Sequence, residues 1–282
     1  MAGHKFTFDG SHPVRLDRFL YQEIGFLSRT SVKKDVLGGF VKVNGGVVKP
    51  SHRLKKGDKV VMRIPDSTPV AVPGNIPPDV IYENKDFLVI NKPKGVVVDS
   101  SLAVNEGLVR GGIVHRLDKD TSGCLILAKN DKFQAYISGQ FKDRKVKKVY
   151  TALVKGKIEP KEGTIEAPVG RSYRDRKKMS VHTLAGRNAV THYKVLKYFK
   201  DCTLLEIKIE TGRTHQIRVH LSAIGYPIVG DTIYGDKGFN KNFDIDRQFL
   251  HARKIGFVDL KGEAREFEAP LPNDLEKVLE LL

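Results

Sequence analysis

Two helices, a hairpin and a further strand are predicted in order along residues 14–63. Apolar side chains recur at helical spacing from Val14, and Ser28 is suited to cap the second helix. Asn44-Gly45 lies between two short apolar runs and is a dipeptide favoured in two-residue β-hairpin turns. The apolar segment Lys59–Met62 predicts a strand that closes the unit.

A larger region with many strands follows. Residues 64–79 contain five prolines and little periodicity, which is typical of a linker. Beyond it, alternation over Leu205–Ile209 predicts a half-buried strand, and Thr214–Ile224 has the pattern of a helix. We therefore predict an α+β protein with a small helix-helix-hairpin domain over residues 1–63. Its second domain, over residues 80–282, is expected to be built on a mixed, mainly antiparallel sheet.

The charge of the chain favours a polyanionic partner. The 282 residues carry a formal net charge of +16, with 49 Lys and Arg against 33 Asp and Glu. Residues 1–63 hold 13 Lys and Arg but only 5 Asp and Glu, so half of the net charge lies in less than a quarter of the chain. A nucleic acid and an anionic membrane surface both fit this charge, and so does a basic protein that binds neither.

Several classes of protein are disfavoured by simple features of the chain. The longest apolar runs are far shorter than a membrane span, and Met1–Asp9 lacks the apolar core of a signal peptide. Cys124 and Cys202 are far apart, and no His/Cys spacing is typical of a zinc site, so no metal is expected. We therefore expect a cytosolic (cytoplasmic) protein without a membrane-spanning segment.

A polar loop between apolar segments contains the first candidate for chemistry. Asp118 lies in Gly112–Gly123, which is dense in polar groups and bounded by apolar runs, the setting in which catalytic groups are commonly held. A carboxylate at this place serves catalysis, or it forms a structural ion pair with Arg116 or Lys119. The local sequence leaves both interpretations open.

Two further segments carry candidate groups. Arg213 follows Gly212 at a strand-to-helix corner, from which its side chain can reach a carboxylate; a surface arginine or a structural salt bridge is the alternative. Strand alternation places Lys148 and Tyr150 on one face, where Tyr150 is suited to stack on a base and Lys148 to meet a phosphate. An ordinary core tyrosine beside an edge lysine fits the same pattern.

In combination, these segments resemble two known families. The small domain resembles the S4 RNA-binding domain in the strings RLDRFL, SRTSVKKDV, VKVNG and LKKGDKV. The rest is similar, in family order, to the RluA-type pseudouridine synthases in INKPKGVVV (90–98), GIVHRLDKDTSG (112–123), KKVYTALVKG (147–156), KMSVHTLAGRNAVTHYKVL (178–196) and ETGRTHQIRVHLSAIGYPIVGDTIYG (210–235). This domain order resembles the RluD-like and RluC-like branch, which acts on large-subunit ribosomal RNA.

The resemblance implies a reaction and roles for three residues. Asp118 is the implied essential carboxylate, acting on a uridine flipped out of the RNA as a nucleophile or as the base that removes a 2′-proton. Arg213 is expected to be its charge partner, because a nearby cation favours an ionised carboxylate. Tyr150 is expected to stack on the base. The family works without metal or cofactor, so neither is expected.

The resemblance also implies contacts with the RNA. In the S4 domain, basic side chains along one helix are expected to add salt-dependent affinity. The expected contacts are an arginine that fills the space of the flipped base, an isoleucine that packs against the site, an active-site lysine and three S4 side chains: Arg116, Ile217, Lys148, Arg29, Lys33 and Lys34.

Three other classes of protein compete with this interpretation. A non-enzymatic S4 protein with a decayed second domain is disfavoured because Asp118, Tyr150 and Arg213 are all present. A methyltransferase needs a glycine-rich cofactor-binding turn, whereas Gly38-Gly39 and Gly45-Gly46 lie in the small domain. A membrane-surface protein needs an amphipathic helix rich in bulky apolar residues, and the sequence offers none, so no membrane partner is expected. We therefore predict an RNA-modifying isomerase with RNA as its partner and no obligate protein partner.

Overall fold

The computed structural model contains two compact units, Met1–Val70 and Ala71–Leu282. Its described residues are 3–24, 29–63, 79–98, 112–173, 175 and 178–282. Ser28, predicted to cap the second helix, lies outside these ranges, and so does the predicted linker up to residue 78. The division between the units falls inside that linker, and the predicted domain boundaries stay predictions.

The first unit combines two helices with a four-stranded sheet of order β1-β6-β3-β4 and a small β2-β5 pair. Its elements are β1 (Gly3–Thr7), β2 (Val14–Arg15), α1 (Leu16–Ile24), α2 (Arg29–Leu37), β3 (Val41–Val43), β4 (Gly46–Val47), β5 (Arg53–Leu54) and β6 (Lys59–Arg63). Leu20 of α1, Val36 of α2 and Val60 of β6 are fully buried in one core. Asn44 and Gly45, between β3 and β4, have φ angles of 51° and 85°, the left-handed values that a two-residue turn requires. The predicted helix-helix-hairpin order is confirmed.

The second unit is built on a nine-stranded sheet. Its elements are β7 (Asp79–Glu83), β8 (Phe87–Lys92), β9 (Ser122–Ala128), α3 (Asp131–Lys142), β10 (Lys147–Lys155), β11 (Glu162–Glu166), β12 (Gly170–Arg171), β13 (Met179–Ser180), β14 (Val190–Tyr198), β15 (Cys202–Ile209), α4 (Gln216–Ala223), α5 (Lys237–Asn240), β16 (Leu250–Val258), β17 (Ala264–Glu268) and α6 (Asn273–Glu280). None of the helices among the described residues combines the length and apolar character that a membrane span requires.

The strands of this sheet run in the order β11-β14-β15-β10-β16-β9-β8-β7, and β17 pairs with β16. β9 and β16 are parallel, whereas the other pairs in the sheet are antiparallel. The predicted α+β class with a mixed, mainly antiparallel sheet is therefore confirmed. The strand predicted over Leu205–Ile209 lies within β15, and the helix predicted from Thr214 is α4, which begins two residues later.

Apolar clusters cover the two faces of β9. Leu125 and Leu127 belong to one core cluster, while Ile126 belongs to a second cluster with Phe87 of β8 and Phe133 of α3. All seven residues of β9 are buried as a result, which explains why this strand reads as a continuous apolar run. β9 therefore gives the polar loop immediately before it a rigid attachment.

Candidate active site

Asp118 begins a turn that leads into β9. The backbone N–H of Thr121 donates to the Asp118 carbonyl over 3.1 Å, and Leu117 on the other side is buried in the core. Gly123, the second residue of β9, has a φ angle of 117°, and a Cβ atom there would lie 2.2 Å from the carbonyl oxygen of Ala252 in β16. Glycine is therefore required for the close approach of these two strands, which sets the position of the turn.

A buried lysine holds the same turn from the interior. Lys92 is fully buried, and its Nζ donates to the carbonyls of Pro93, Val96 and Lys119 over 2.7, 3.1 and 2.9 Å. Burial lowers the pKa of this ammonium group to about 8. Because three carbonyls match its three N–H donors, Lys92 is a clamp on the backbone and not a group open to substrate.

The carboxylate of Asp118 is held by Arg218 of α4. Nη1 of Arg218 donates to Oδ2 of Asp118 over 3.1 Å, while Nε and Nη2 donate to Oδ2 and Oδ1 of Asp231 over 2.6 and 2.9 Å. Arg218 is 4% exposed and Asp231 is 0% exposed, so their ion pair is buried. Asp231 Oδ1 also accepts the backbone N–H groups of Ile233 and Tyr234, each over 2.9 Å. The arginine is thus fixed by one carboxylate and presents a remaining N–H to another.

Electrostatics keeps this buried pair charged. Burial alone would lower the pKa of Arg218 and raise the pKa of Asp231, because it disfavours charged forms. Their mutual hydrogen bonds and charges outweigh burial, so the pKa of Arg218 lies above its ordinary value and the pKa of Asp231 lies below its own. Charge-assisted bidentate bonds of this kind also fix direction, so the guanidinium is aimed at Asp118 in advance.

The expected pairing of Asp118 with Arg213 is wrong. Arg213 is half-buried at the predicted strand-to-helix corner, but its Nε donates to the Asn188 carbonyl over 3.4 Å. The corner is fixed by Gln216, whose side-chain oxygen accepts the backbone N–H of Arg213 and the hydroxyl of Thr211. These bonds fix the backbone of the corner, from which the Arg213 side chain bonds the Asn188 carbonyl, while Arg218 holds the Asp118 carboxylate.

Arg218 is not among the site residues predicted from the sequence, although its surroundings in the chain contain a signal. Arg218 stands between Ile217 and Val219 in α4, where Gln216–Leu221 are all buried. An arginine enclosed by apolar neighbours needs a buried counter-ion, because an unpaired buried charge is very costly. That signal indicates a buried ion pair, but it does not identify the acid 13 residues further along the chain.

His215 joins the site from the residue before α4. It has a φ angle of 57°, its Nδ1 lies 2.8 Å from Oη of Tyr234, and its Nε2 lies 4.0 Å from Oδ2 of Asp118. We assign the ring proton to Nε2, because the Tyr234 hydroxyl accepts the N–H of Met179 and has its own proton free for Nδ1. Burial lowers the pKa of His215, so the ring is neutral at pH 7. The structure thus places this ring beside the carboxylate.

Asp118 lines a cavity of about 390 Å³, within the roughly 300–1,000 Å³ typical of small-molecule sites. Four other predicted site residues line it as well: Arg116, Tyr150, Arg213 and Ile217. Burial raises the pKa of Tyr150 well above its ordinary value, and the charge of Asp118 adds to this effect, so the phenol stays neutral. Among the described residues, no group of three or more His, Cys, Asp or Glu is arranged to hold a metal ion. The chemistry available here is that of a carboxylate, an arginine and an aromatic wall.

The remaining predicted contacts lie elsewhere. Lys148 is not among the described residues that line the cavity; its Nζ donates to the Glu210 carbonyl over 3.2 Å, and burial lowers its pKa to about 8. In the first unit, Lys33 is exposed on α2, while the side chains of Arg29 and Lys34 on the same helix lie outside those described. RNA contacts by these residues stay predictions.

Comparisons with known proteins identify relatives along most of the chain. The profile of the RNA pseudouridylate synthase family matches residues 86–223, and that of the S4 domain matches residues 14–60. The chain is 43% identical to an RNA pseudouridine synthase of Bacillus subtilis, over 95% of this chain and 94% of that protein. It is 35% identical to ribosomal large subunit pseudouridine synthase D of Escherichia coli, over 95% of this chain and 90% of that protein.

A solved structure is similar over most of the chain. Human RNA pseudouridylate synthase domain containing 1 matches with a TM-score of 0.62 and 30% identity, over 72% of this chain and 87% of that one. The family profile includes both the turn of Asp118 and the arginine that holds it. From these relatives and this site, we conclude that the chain belongs to the family of RNA pseudouridine synthases, with an S4 RNA-binding domain ahead of its synthase domain.

Proposed function

We propose that this RNA pseudouridine synthase acts on uridines of large-subunit ribosomal RNA in the cytoplasm, with Asp118 as its catalytic carboxylate. The observation that carries the catalytic role is the bond between Asp118 and Arg218 at the wall of the cavity. The substrate is supported by relatives named ribosomal large subunit pseudouridine synthase D, at 36% identity in Zymomonas mobilis and 35% in Escherichia coli, each over 95% of this chain.

The reaction moves the base without any change of oxidation state. The bond between C1′ and N1 breaks, the uracil turns, C1′ bonds to C5, C5 loses its proton and N1 takes one up. The uracil has to leave the RNA stack to enter the cavity, which costs a few kcal/mol unless the RNA is already looped there. None of these steps requires a redox partner. The residues of this chain therefore supply orientation, charge and proton transfer.

Within the part of the chain that the structure describes, the Asp118 carboxylate is bound through one of its two oxygens. Both of its polar contacts among the described residues, with Arg218 and with His215, are made by Oδ2. We assign Oδ1 to the substrate, where it attacks as a nucleophile or removes the 2′-proton. Arg218 replaces Arg213 as the proposed orienting cation, and this replacement changes neither of the two chemical roles.

The walls of the cavity suit a flat uncharged base. Tyr150 is 8% exposed and Ile217 is 5% exposed, so both present rigid apolar surface with little freedom to lose on binding. We assign stacking on the uracil to Tyr150 and packing to Ile217. Arg116 is exposed at the cavity and is proposed to fill the space that the flipped base leaves in the RNA. Arg213 is proposed to contact the RNA backbone at the same cavity.

The central test measures release of tritium from RNA labelled at uridine C5. The wild type is expected to release the label, and Asp118→Asn is expected to release none, since the amide keeps the shape but not the charge. Asp201→Asn, at an exposed turn between β14 and β15, is the matched control and is expected to match the wild type. Full activity of Asp118→Asn would remove the proposed catalytic role.

A second experiment tests the substrate. Pseudouridines are mapped in ribosomal RNA from cells that lack the protein and from cells in which it is restored. Loss of one or more large-subunit sites, with recovery on restoring the wild type but not Asp118→Asn, is the expected outcome. An unchanged large-subunit map together with lost sites in another RNA would keep the activity and replace the substrate.

A further inference from the structure

A buried arginine outside the cavity wall holds the turn that begins at Asp118. Arg247, three residues before β16, is 2% exposed. Its Nη1 donates to the Asp120 carbonyl and to the hydroxyl oxygen of Ser122, each over 3.1 Å. Asp120 is inside the turn and Ser122 is the first residue of β9, so one guanidinium nitrogen bonds both sides of the junction.

An acid on the last helix sets the direction of this arginine. Nε and Nη2 of Arg247 donate to Oδ2 and Oδ1 of Asp274 in α6, over 2.7 and 2.9 Å. The bidentate geometry fixes the plane of the guanidinium and therefore the line along which Nη1 points. A buried ion pair is weak evidence for stability, because an apolar pair of similar volume holds a helix equally well. An apolar pair cannot, however, donate to the Asp120 carbonyl.

The turn is thus held at consecutive carbonyls by two buried cations. Lys92 bonds the carbonyl of Lys119, and Arg247 bonds that of Asp120. The N–H of Thr121 closes the turn onto the Asp118 carbonyl. With these bonds in place the backbone of Asp118 has little room to move, while Arg218 holds its carboxylate from the opposite end.

We propose that Arg247, oriented by Asp274 of the last helix, is a positioning residue for Asp118. The inference rests on the proposed catalytic role of Asp118 and extends it to a pair that lies outside the described cavity lining. Its physical basis is that a reacting group displaced by about 1 Å loses roughly 100-fold in rate. When the bonds of Arg247 are lost, the Asp118 carboxylate keeps its charge and its bond to Arg218, but the Cα of Asp118 is no longer fixed.

The experiment compares two variants of the pair in the full chain. Arg247→Met removes both functions of the guanidinium, and Asp274→Asn keeps Arg247 but removes the charge that aims it. Tritium release is measured in single turnover with enzyme in excess, which separates the rate at saturation from the half-saturating enzyme concentration. We expect Arg247→Met to lower the saturated rate roughly 100-fold with an unchanged half-saturating concentration, and Asp274→Asn to show a smaller loss in the same parameter.

Two controls separate positioning from simple stability. Val278→Ala cuts a buried contact of α6 without touching the pair, so it provides a destabilised protein with an intact clamp. Arg253→Met, on β16, breaks an exposed pair with Glu268 of β17, 2.7 Å between Nε and Oε1, and is expected to leave the rate unchanged.

The outcomes decide between the two roles. A saturated rate that falls in the pair variants but not in Val278→Ala, at temperatures where all are folded, supports positioning. Pair variants that keep the wild-type saturated rate would overturn it, and so would a Val278→Ala loss of equal size at equal stability. If Arg247→Met does not fold, Asp274→Asn decides alone. Full activity of Asp118→Asn would instead remove the proposed function, whatever the pair variants do.

Discussion

The arginine that holds Asp118 leads to the sharpest prediction. Arg218→Met keeps a side chain of similar length and removes three charge-assisted hydrogen bonds, one to Asp118 and two to Asp231. It therefore affects folding through Asp231 and the reaction through Asp118. Because the two carboxylates lie on opposite sides of the guanidinium, a second substitution at Asp231 separates the two effects.

The folding effect follows from the burial of Asp231. This carboxylate is 0% exposed, and Arg218 is its counter-ion. Removing one partner of a buried ion pair costs roughly 3–5 kcal/mol of unfolding free energy. The N–H groups of Ile233 and Tyr234 still bond Oδ1, so we expect the lower end of that range, about 3 kcal/mol. Adding Asp231→Asn removes the stranded charge and is expected to restore most of the loss.

The effect on the reaction follows from one bond. Asp118 loses a hydrogen bond to a charged group, which contributes roughly 1.5–3 kcal/mol. At about 1.4 kcal/mol per factor of ten, the single-turnover rate should fall roughly 10- to 150-fold. The double variant with Asp231→Asn should regain stability but not rate, because the bond to Asp118 is absent from both proteins.

The assay combines urea unfolding with single-turnover tritium release at saturating enzyme. Arg213→Met is the matched control, because Arg213 lines the same cavity but bonds the Asn188 carbonyl. It is expected to change the half-saturating concentration more than the saturated rate, and to cost less than about 1 kcal/mol of stability. A rate within twofold of the wild type for Arg218→Met, or a double variant that regains rate along with stability, would contradict the proposed orienting role of Arg218.

A buried lysine, a glycine in β9 and the S4 domain each provide a further test. The pKa of Lys92 is about 8 in the folded protein and 10.5 in the unfolded chain, so between pH 8 and pH 10.5 the unfolded chain binds more protons. The unfolding free energy of the wild type, minus that of Lys92→Met, should therefore rise with pH in this range. Lys148 titrates in the wild type and in Lys92→Met alike, so its contribution cancels in this difference. A difference in unfolding free energy that stays flat or falls with pH would contradict the lowered pKa of Lys92. Gly123→Ala should lower the unfolding free energy measured in urea by at least about 2 kcal/mol, because Gly123 has a positive φ and lies close to the Ala252 carbonyl. The control Gly139→Ala in α3, where a Cβ atom would meet open space, should be neutral or stabilising. Deleting residues 1–63 should weaken RNA binding and reduce its salt dependence, by roughly 0.7–0.9 of log–log slope for each phosphate contact that is lost. The saturated single-turnover rate should not change. Loss of that rate would show that the S4 domain takes part in the chemistry.

Elements with a local cause could be predicted from the sequence. Asn44-Gly45 forms the expected hairpin because both residues tolerate the left-handed backbone that the turn needs. The alternation over Leu205–Ile209 identifies a strand because one face is buried wherever that strand pairs. The boundary of α4 differs by two residues, since His215 is left-handed and the helix cannot begin before it. In each case the information lies within a few residues.

The ion pairs of the site depend on contacts that no local pattern contains. Asp118 and Arg218 are 100 residues apart, and only the folded sheet brings the turn before β9 against α4. The sequence favours Arg213, because its side chain can reach a carboxylate from a strand-to-helix corner and because the family resemblance implies that pairing. In the structure, the arginine that bonds Asp118 is Arg218 on the buried helix α4, where a second acid, Asp231, fixes its guanidinium.

The site therefore relies on cations that are already satisfied before substrate arrives. Arg218 gives two bonds to Asp231 and one to Asp118, and Arg247 gives two to Asp274 and one to the Asp120 carbonyl. In each pair the carboxylate neutralises most of the charge and the guanidinium keeps a directed N–H. A lone arginine would have to reorganise when the substrate binds, whereas a paired one is held in place by the fold. Orientation, more than added positive charge, is thus the contribution of these arginines to Asp118.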